Sequence, residues 1–320
     1  MAKHGYRFLQ DRKYKRRRFV ALCLVFVFAA SVTWGTEQAI SASHDDSDGV
    51  AAAEQETGAA DPETSDDASG DVAADSESAL AAPTDPSASA SATETADADI
   101  TAQVQPSLDS LFVGADYSVE VTNLETGATK VAIGADQQYT SASTYKLYVA
   151  YSMISAVEQG TVTWNSSLNG TTLRSCFSDM IIQSDNECPQ AWLQKYGFST
   201  VNQEVAQAGF GTTQIASGDM RTTPTDLTDY LTRLYKGSFM DADSRAFLID
   251  CMESQIYRSG IPAGIGEAGT VADKVGFLDG LLHDAAIIYT DKGDYTMVIM
   301  TDESSWGAIA QAAATIYAAL

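Results

Sequence analysis

The hydrophobic and polar positions of the chain divide it into three parts. A basic segment at residues 1–18 is followed by a mostly apolar run at residues 19–34. From about Thr36 to Gln105 the chain is rich in Ala, Ser, Asp, Glu and Thr, and no aromatic residue occurs between Trp34 and Phe112. Such a stretch buries too little apolar surface to offset the entropy lost on ordering. We therefore predict a disordered acidic linker over residues 36–106 and one folded domain over residues 107–320.

Within residues 107–320, strand patterns lie at both ends and helical patterns lie between them. The strand patterns cover residues 117–122, 130–133, 285–290 and 295–301, and turn sequences separate the members of each pair. The helical patterns cover residues 173–183, 189–196, 200–208, 225–235 and 306–320, with Ser199 as a predicted N-cap and Pro224 near a helix start. Together they predict an α/β domain of the α+β kind, with one antiparallel sheet formed by both ends and an inserted all-α lobe.

The N-terminal apolar run, together with its basic flank, has the character of a targeting segment. It is shorter than the roughly 20 residues that span a bilayer as a helix. The basic flank predicts a cytoplasmic N-terminus and export of the remaining chain. No clean Ala-x-Ala cleavage site follows the run. For residues 1–35 we expect a signal anchor in preference to a cleaved signal peptide, and therefore a protein anchored on the extracellular side of the cytoplasmic membrane or secreted.

Composition and charge narrow the possible partners. The 320 residues carry a formal net charge of −24, and no Lys or Arg occurs between Arg18 and Lys130. A chain without a basic stripe is a poor candidate for nucleic-acid binding. The four cysteines show no CxxC spacing and only three histidines are present, so we predict neither a zinc site nor another cofactor. We expect a monomer that acts on a small molecule or a peptide.

Three short motifs that could carry chemistry follow one another along the folded domain. Ser143 and Lys146 stand three residues apart at the start of a predicted helix, a spacing that puts both on one helix face. A hydroxyl with a base beside it is the usual arrangement of an activated serine. Ser184-Asp185-Asn186 ends a second helix, and Lys274-Val275-Gly276 precedes the late strands. Each motif alone is common, whereas all three in this order form a specific signal.

On these motifs, residues 107–320 resemble the class A β-lactamase and penicillin-binding serine transferase family. Residues 222–227 and 283–288 also resemble segments of its β-lactamase-like branch. The resemblance implies a five-stranded antiparallel sheet. It also implies a serine hydrolase that forms an acyl-enzyme with β-lactams, or a penicillin-binding D-alanyl-D-alanine peptidase that acts on peptidoglycan peptides. A non-catalytic wall-binding or sensor domain with the same fold is the alternative from another class.

The resemblance also assigns a role to each motif residue. Ser143 would be the nucleophile, Lys146 its base or proton relay, and Ser184 the group that passes a proton to the leaving nitrogen. Asn186 would hold the amide side chain of the substrate, and Lys274 would supply positive charge for its carboxylate. Val275, Gly276 and Phe277 would line the substrate, with the backbone N–H groups of Ser143 and Phe277 as the oxyanion hole.

The sequence departs from the family pattern in two places. The loop glutamate that activates water for deacylation in class A enzymes has no counterpart in residues 210–224, where Asp219 is the only carboxylate. Glu187 and Glu204 are the nearest glutamates, and slow deacylation is therefore expected. Val275 stands where the family usually has Thr or Ser, which removes a hydrogen bond to the substrate worth about 1.5–3 kcal/mol.

The remaining polar candidates receive structural interpretations. Cys176 and Cys188 flank Ser184–Asn186 at a spacing that a disulfide could bridge, and two buried thiols are the alternative. Asp185 and Asn186 would also serve as turn and capping groups. We expect His283 to be structural and Asp284 to fix the end of a strand.

Overall fold

The computed structural model describes residues 97–320. The predicted targeting segment at residues 1–35, and the predicted linker as far as residue 96, lie outside the described residues. The strands are β1 Asp116–Asn123, β2 Thr129–Ile133, β3 Tyr139–Thr140, β4 Ser167–Leu168, β5 Thr171–Thr172, β6 Gln214–Ala216, β7 Asp219–Thr222, β8 Gly269–Leu278, β9 Leu281–Thr290 and β10 Gly293–Asp302. The helices are α1 Thr101–Leu111, α2 Lys146–Glu158, α3 Leu173–Ile182, α4 Glu187–Tyr196, α5 Phe198–Gln207, α6 Pro224–Lys236, α7 Ala242–Glu253, α8 Ile261–Ile265 and α9 Trp306–Ala319.

The main sheet has five antiparallel strands in the order β2-β1-β10-β9-β8. Two of its strands come from the start of the domain and three from the end, and the helices between them form the inserted lobe. The predicted fold class is therefore confirmed. Strand β8, which carries the third motif, lies at one edge of this sheet.

The sheet separates two hydrophobic cores. In β10, Val298 and Met300 pack in the core shared with the helical lobe, whereas Met297 and Ile299 pack in the core beneath α1 and α9. Successive strand residues point to opposite faces, so a strand covered on both sides becomes a continuous apolar run. This explains the uninterrupted apolar character of residues 297–300.

The folded part begins earlier in the sequence than Ser107, where the domain boundary was predicted. Helix α1 begins at Thr101, and the backbone N–H of Ile100 donates to the carbonyl of Lys130 at 2.8 Å. Val104 and Leu108, four residues apart, place their side chains in the second core. The residues around Val104 and Leu108 are mostly Ala, Ser and Gln, as in the linker. The composition of this stretch therefore gives no sign that a helix begins here.

Helix boundaries show which capping predictions succeed. Pro224 begins α6 as expected, and the side chain of Thr223 caps it by accepting from the backbone N–H of Asp226. The Ser199 cap is wrong, because α5 begins at Phe198 directly after Gly197, whose φ of 92° only glycine adopts easily. Within residues 97–320, no helix combines the length and the apolar character needed to cross a membrane.

Candidate active site

Ser143 lies on a tight turn between the two layers of the domain. A 3₁₀ turn at Ala142–Tyr145 leads into α2, whose residues from Lys146 to Ala150 are all buried in the lobe. Ala142, directly before the serine, has a φ of 45° in the left-handed region. Such a conformation costs about 1–3 kcal/mol for a residue with a side chain and is concentrated at functional sites.

The Nζ atom of Lys146 lies among four oxygen atoms that belong to the first and second motifs. It is 3.1 Å from Oγ of Ser143, 3.1 Å from Oγ of Ser184, 2.5 Å from the carbonyl oxygen of Ser184 and 2.8 Å from Oδ1 of Asn186. The carbonyl and the amide oxygen can only accept hydrogen bonds, whereas the two hydroxyls can also donate.

This set of partners suits a neutral amine. A neutral Lys146 donates its two N–H groups to the Ser184 carbonyl and to Asn186, which leaves its lone pair directed at the hydroxyls. Burial of the side chain lowers the pKa of Lys146 to about 7, although the charge of Asp185 opposes this shift. Lys146 can therefore take up the proton of a nearby hydroxyl at neutral pH.

The loop from Ser184 to Asn186 is held by several covalent and polar contacts. The structure joins Cys176 of α3 to Cys188 of α4 in a disulfide that spans this loop. The side chain of Asp185 accepts from the backbone N–H of Cys188 at 2.8 Å and so caps α4. Ser184 has a φ of 56°, a strained value that turns its carbonyl and its hydroxyl towards Lys146.

Lys274 completes the polar cluster from the edge strand β8. Its Nζ atom donates to Oγ of Ser184 at 3.0 Å and to the carbonyl oxygen of Val275 at 2.8 Å. Burial and the positive charge of Lys146 together lower the pKa of Lys274 to about 7, while Asp273 and Asp284 oppose the shift. Two amines thus share the hydroxyl of Ser184.

Gly276 allows β8 to approach the nucleophile turn. A Cβ atom at this position would lie 3.0 Å from the backbone nitrogens of Ser143 and Thr144 and 2.9 Å from the carbonyl oxygen of Ser141. Any side chain would therefore push the strand away from Ser143. Val275 is buried beside it and presents no hydroxyl to the site, whereas the side chain of Phe277 is exposed.

Two buried carboxyl groups lie behind Lys274. In the register of β8 and β9, Asp273 pairs with Ala286 and Val275 pairs with Asp284, so the two aspartates are diagonal neighbours on one face. Arg258 forms an ion pair with Asp273, and the backbone N–H of Ile261 donates to Oδ2 of Asp284 at 2.8 Å.

The surroundings of these two aspartates favour their protonated form. Burial and the charge of Asp284 raise the pKa of Asp273, and burial raises the pKa of Asp284 to about 6. Among residues 97–320, no group donates a hydrogen bond to Oδ1 of Asp284. One proton on the pair leaves one negative charge to balance Arg258 and Lys274.

The segment that lacks the glutamate forms a β-hairpin. Strands β6 and β7 pair with each other, β7 pairs with β3, and the N–H of Ser141 donates to the carbonyl of Met220 at 2.9 Å. The hairpin therefore supports the nucleophile turn directly. The carboxylate of Asp219 is bound by Arg221, at 2.7 Å, and is about half exposed.

The other carboxylates considered for water activation are engaged elsewhere. Oε2 of Glu204 accepts from the hydroxyl of Ser152 at 2.6 Å, in the contact between α2 and α5. Oε2 of Glu187 accepts from the side-chain amide of Asn169 at 3.3 Å. Neither side chain belongs to the polar cluster around Lys146.

His283 has a structural role, as the sequence indicates. Its Nδ1 accepts from the backbone N–H of Thr301 at 3.2 Å, so its protonated Nε2 donates to the carbonyl of Thr140 at 2.9 Å. Burial lowers the pKa of His283 to about 4, which keeps the ring neutral. The residue ties β9 to β3, just before the nucleophile turn.

The structure thus brings Ser143, Lys146, Ser184, Asn186 and Lys274 into one cluster, with Gly276 beside it. Sequence reasoning missed the groups that surround this cluster. They are Tyr257, Arg258, Asp273 and Trp306. The position of Asp273 next to Lys274 was the one local signal for this surrounding layer, because the other three lie far from the motifs in the sequence. Within residues 97–320, no group of three or more His, Cys, Asp or Glu side chains could hold a metal ion.

A five-stranded antiparallel sheet, an inserted helical lobe and a serine–lysine pair at their junction define a β-lactamase-like fold. Comparison with known proteins agrees with this description, since the model of the family described as the β-lactamase enzyme family matches residues 99–320. The chain belongs to this family.

Solved structures show the same fold at low sequence identity. PBP-A is 23% identical, with a TM-score of 0.63 over 68% of this chain and 95% of that chain. A β-lactamase from Sphaerobacter thermophilus is 20% identical, with a TM-score of 0.62 over 69% of this chain and 96% of that chain. A mutant of PBP-A was solved as an acyl-enzyme complex with penicillin G, and it has the same identity and TM-score as PBP-A over 68% of this chain and 96% of that chain. No curated protein matches the chain.

Proposed function

We propose that the protein is a serine hydrolase that forms an acyl-enzyme at Ser143 with β-lactams and releases the product slowly. The observation that carries this proposal is the position of Nζ of Lys146, 3.1 Å from the hydroxyl oxygens of both Ser143 and Ser184. A single neutral amine can thus take a proton from the nucleophile and pass it to the second serine.

The reaction follows from these contacts. Oγ of Ser143 attacks the β-lactam carbonyl carbon while Lys146 takes up its proton, and the backbone N–H groups of Ser143 and Phe277 stabilise the oxyanion. The carbon–nitrogen bond then breaks, and the leaving nitrogen takes the proton of Ser184, which Lys146 replaces. Asn186 and Lys274 orient the amide and the carboxylate of the substrate.

Slow release is supported by the hairpin of β6 and β7. The carboxylates of Asp219, Glu187 and Glu204 are bound by other partners, so none of these three is placed to act as general base for the attacking water. The same observation favours a second candidate function, that of a penicillin-binding D-alanyl-D-alanine peptidase acting on peptidoglycan peptides. Such an enzyme is acylated by penicillin and stays acylated.

Labelling with a fluorescent penicillin tests the proposal. The full-length protein should become covalently labelled, Ser143→Ala should remain unlabelled, and Ser199→Ala, which alters an exposed serine on α5, should label like the wild type. Lack of labelling of the wild type, under conditions that label a known penicillin-binding protein, contradicts acylation and favours a non-catalytic binding domain.

We also propose export, with residues 1–35 as an anchor. The Cys176–Cys188 disulfide supports this location, because disulfides persist in oxidising compartments outside the cytosol. Fractionation of cells that produce the full-length chain should place it in the membrane fraction, and an external protease should reach the catalytic domain in intact spheroplasts. Recovery in the soluble cytoplasmic fraction with reduced Cys176 and Cys188 contradicts this proposal.

A further inference from the structure

The strand end beside the nucleophile carries an exposed apolar surface. Phe277 directly follows Gly276 and is 43% exposed, and Leu278 is 46% exposed. Ile256 and Tyr257, in the loop after α7, are 59% and 38% exposed. These are four of the five large hydrophobic side chains exposed within residues 97–320, and contiguous apolar surface of this kind marks binding sites.

Two of these side chains, Tyr257 and Phe277, pack with the ring of Trp306. We call these three residues the aromatic wall. The ring centroids of Tyr257 and Phe277 lie 5.3 Å apart, and those of Phe277 and Trp306 lie 6.4 Å apart, both with edge-to-face geometry. The residues come from a loop, a strand and a helix start, so the wall depends on tertiary packing.

Two backbone contacts connect the wall to the segments that carry the reacting groups. At one end, Phe277 follows the Gly276 contact with the nucleophile turn. At the other end, the N–H of Ile256, beside Tyr257, donates to the carbonyl of Ile182 at 3.1 Å, just before the loop that carries Ser184. In the proposed reaction Ser184 protonates the leaving atom, so the side chains of Tyr257 and Phe277 are the exposed apolar groups available to the leaving group.

Apart from Lys274, the groups beside the wall that could bind an anion are occupied or missing. The guanidinium of Arg258 is bound by Asp273 and by the carbonyl of Val271, and Val275 offers no hydroxyl. We therefore propose that the protein selects substrates whose leaving group carries an aromatic ring, which packs against Tyr257 and Phe277. This inference rests on the proposed acylation of Ser143 and names the part of the substrate that decides specificity.

A matched pair of esters tests this proposal with the full-length protein. The benzoylglycyl esters of phenyllactate and of lactate share one acyl group and differ by one phenyl ring in the leaving alcohol. Attack by Ser143 forms the same acyl-enzyme from both, breaks the ester carbon–oxygen bond and returns a proton to the leaving oxygen. Differences in the rate of first-turnover alcohol release therefore report the leaving group alone.

We expect the phenyllactate ester to acylate Ser143 about tenfold faster than the lactate ester, the range of one or two aromatic contacts. Tyr257→Ala and Phe277→Ala should each reduce this ratio at least about threefold. Val113→Ala, which truncates the exposed apolar residue outside the patch, should leave the ratio unchanged.

Two other outcomes separate failure of this inference from failure of the proposed function. Acylation by both esters at equal rates, or a ratio that neither Tyr257→Ala nor Phe277→Ala alters, overturns the aromatic selection while acylation stands. The second outcome is that intact-mass analysis finds no benzoylglycyl adduct from either ester and no penicilloyl adduct from penicillin. In that case the proposed function fails and the inference fails with it.

Discussion

Lys146 and Lys274 both direct their amino groups at one hydroxyl, with Nζ atoms 3.1 Å and 3.0 Å from Oγ of Ser184. Each side chain is fully buried, and each has a pKa lowered to about 7. Two buried amines this close disfavour each other's protonation, so at neutral pH the pair holds close to one proton. The pair can therefore combine a base at Lys146 with a positive charge at Lys274.

This arrangement predicts a bell-shaped dependence of acylation on pH. The first proton lost frees Lys146 to act as a base, so kcat/KM for acylation should rise with pH through about 7. The second proton lost removes the charge of Lys274 and should lower kcat/KM at higher pH. Acylation by a fluorescent penicillin, measured from pH 5 to 10, checks this shape, and a flat profile contradicts it.

Substitution of Lys274 should shift the rising part of the pH profile of acylation. Lys274→Met removes the positive neighbour, so Lys146 keeps its proton to higher pH and the rising limb shifts upward. The falling limb should disappear in the same variant. Lys195→Met, which removes an exposed lysine of α4, should keep both limbs in place. A lower rate with unmoved limbs indicates that Lys274 contributes only to substrate binding.

Loss of the Lys146 amine should slow the first chemical step strongly. A positioned general base contributes about 10²–10⁴-fold, so Lys146→Ala should lower the acylation rate by roughly that factor. The change also leaves Asn186 and the Ser184 carbonyl without their donor, so the variant must be compared with the wild type at equal folded fraction by circular dichroism. A variant that folds and acylates within about tenfold of wild type contradicts the role of Lys146 as base.

Asp273 and Asp284 predict how stability responds to acid. Folding keeps a proton on the pair that the unfolded chain releases above pH 4, since the pKa of Asp284 is raised to about 6. The contribution of the Asp284 proton to the free energy of unfolding is therefore fully present below pH 4 and is lost as pH rises through 6. Asp284→Asn mimics the protonated acid. The free energy of unfolding of this variant should therefore not fall as pH rises through 6.

Urea unfolding of wild type and Asp284→Asn at intervals from pH 4 to 7 measures the difference. We expect the free energy of unfolding of the variant, relative to that of the wild type, to increase as pH rises across this range. Asp250→Asn, at an exposed carboxylate of α7, serves as the matched control. A constant difference between wild type and Asp284→Asn contradicts the raised pKa of Asp284.

The disulfide predicts a stability difference and a catalytic one. For a loop of this length, with a sequence separation of 12, removal should lower the free energy of unfolding by about 2–4 kcal/mol. Because the bond spans the loop of Ser184, the Cys176→Ala/Cys188→Ala variant should also acylate more slowly while folded. Cys251→Ala, at the free buried thiol, should change stability through packing alone and leave acylation intact.

The cluster could be predicted from sequence because its residues lie in three compact motifs. Ser143 and Lys146 are joined by helical spacing, and the order of the motifs indicated which distant segments meet. The fold class followed in the same way, from strand patterns at both ends of the domain.

Other parts depend on pairing between distant segments, which no local pattern reveals. Strand β3 is only Tyr139–Thr140, and its pairing with β7 is fixed by tertiary contacts. The ion pair of Arg258 with Asp273 joins a loop to an edge strand, and the aromatic wall gathers one ring from each of three elements. Helix α1 was missed because two buried side chains, Val104 and Leu108, are its main signal.

The most direct test of the account is intact-mass analysis of the full-length protein after incubation with penicillin G. We predict a mass increase of one penicillin G molecule, mapped by proteolysis to the peptide that contains Ser143 and still present after the free antibiotic is removed. An unchanged mass, or an adduct on any other residue, contradicts the account.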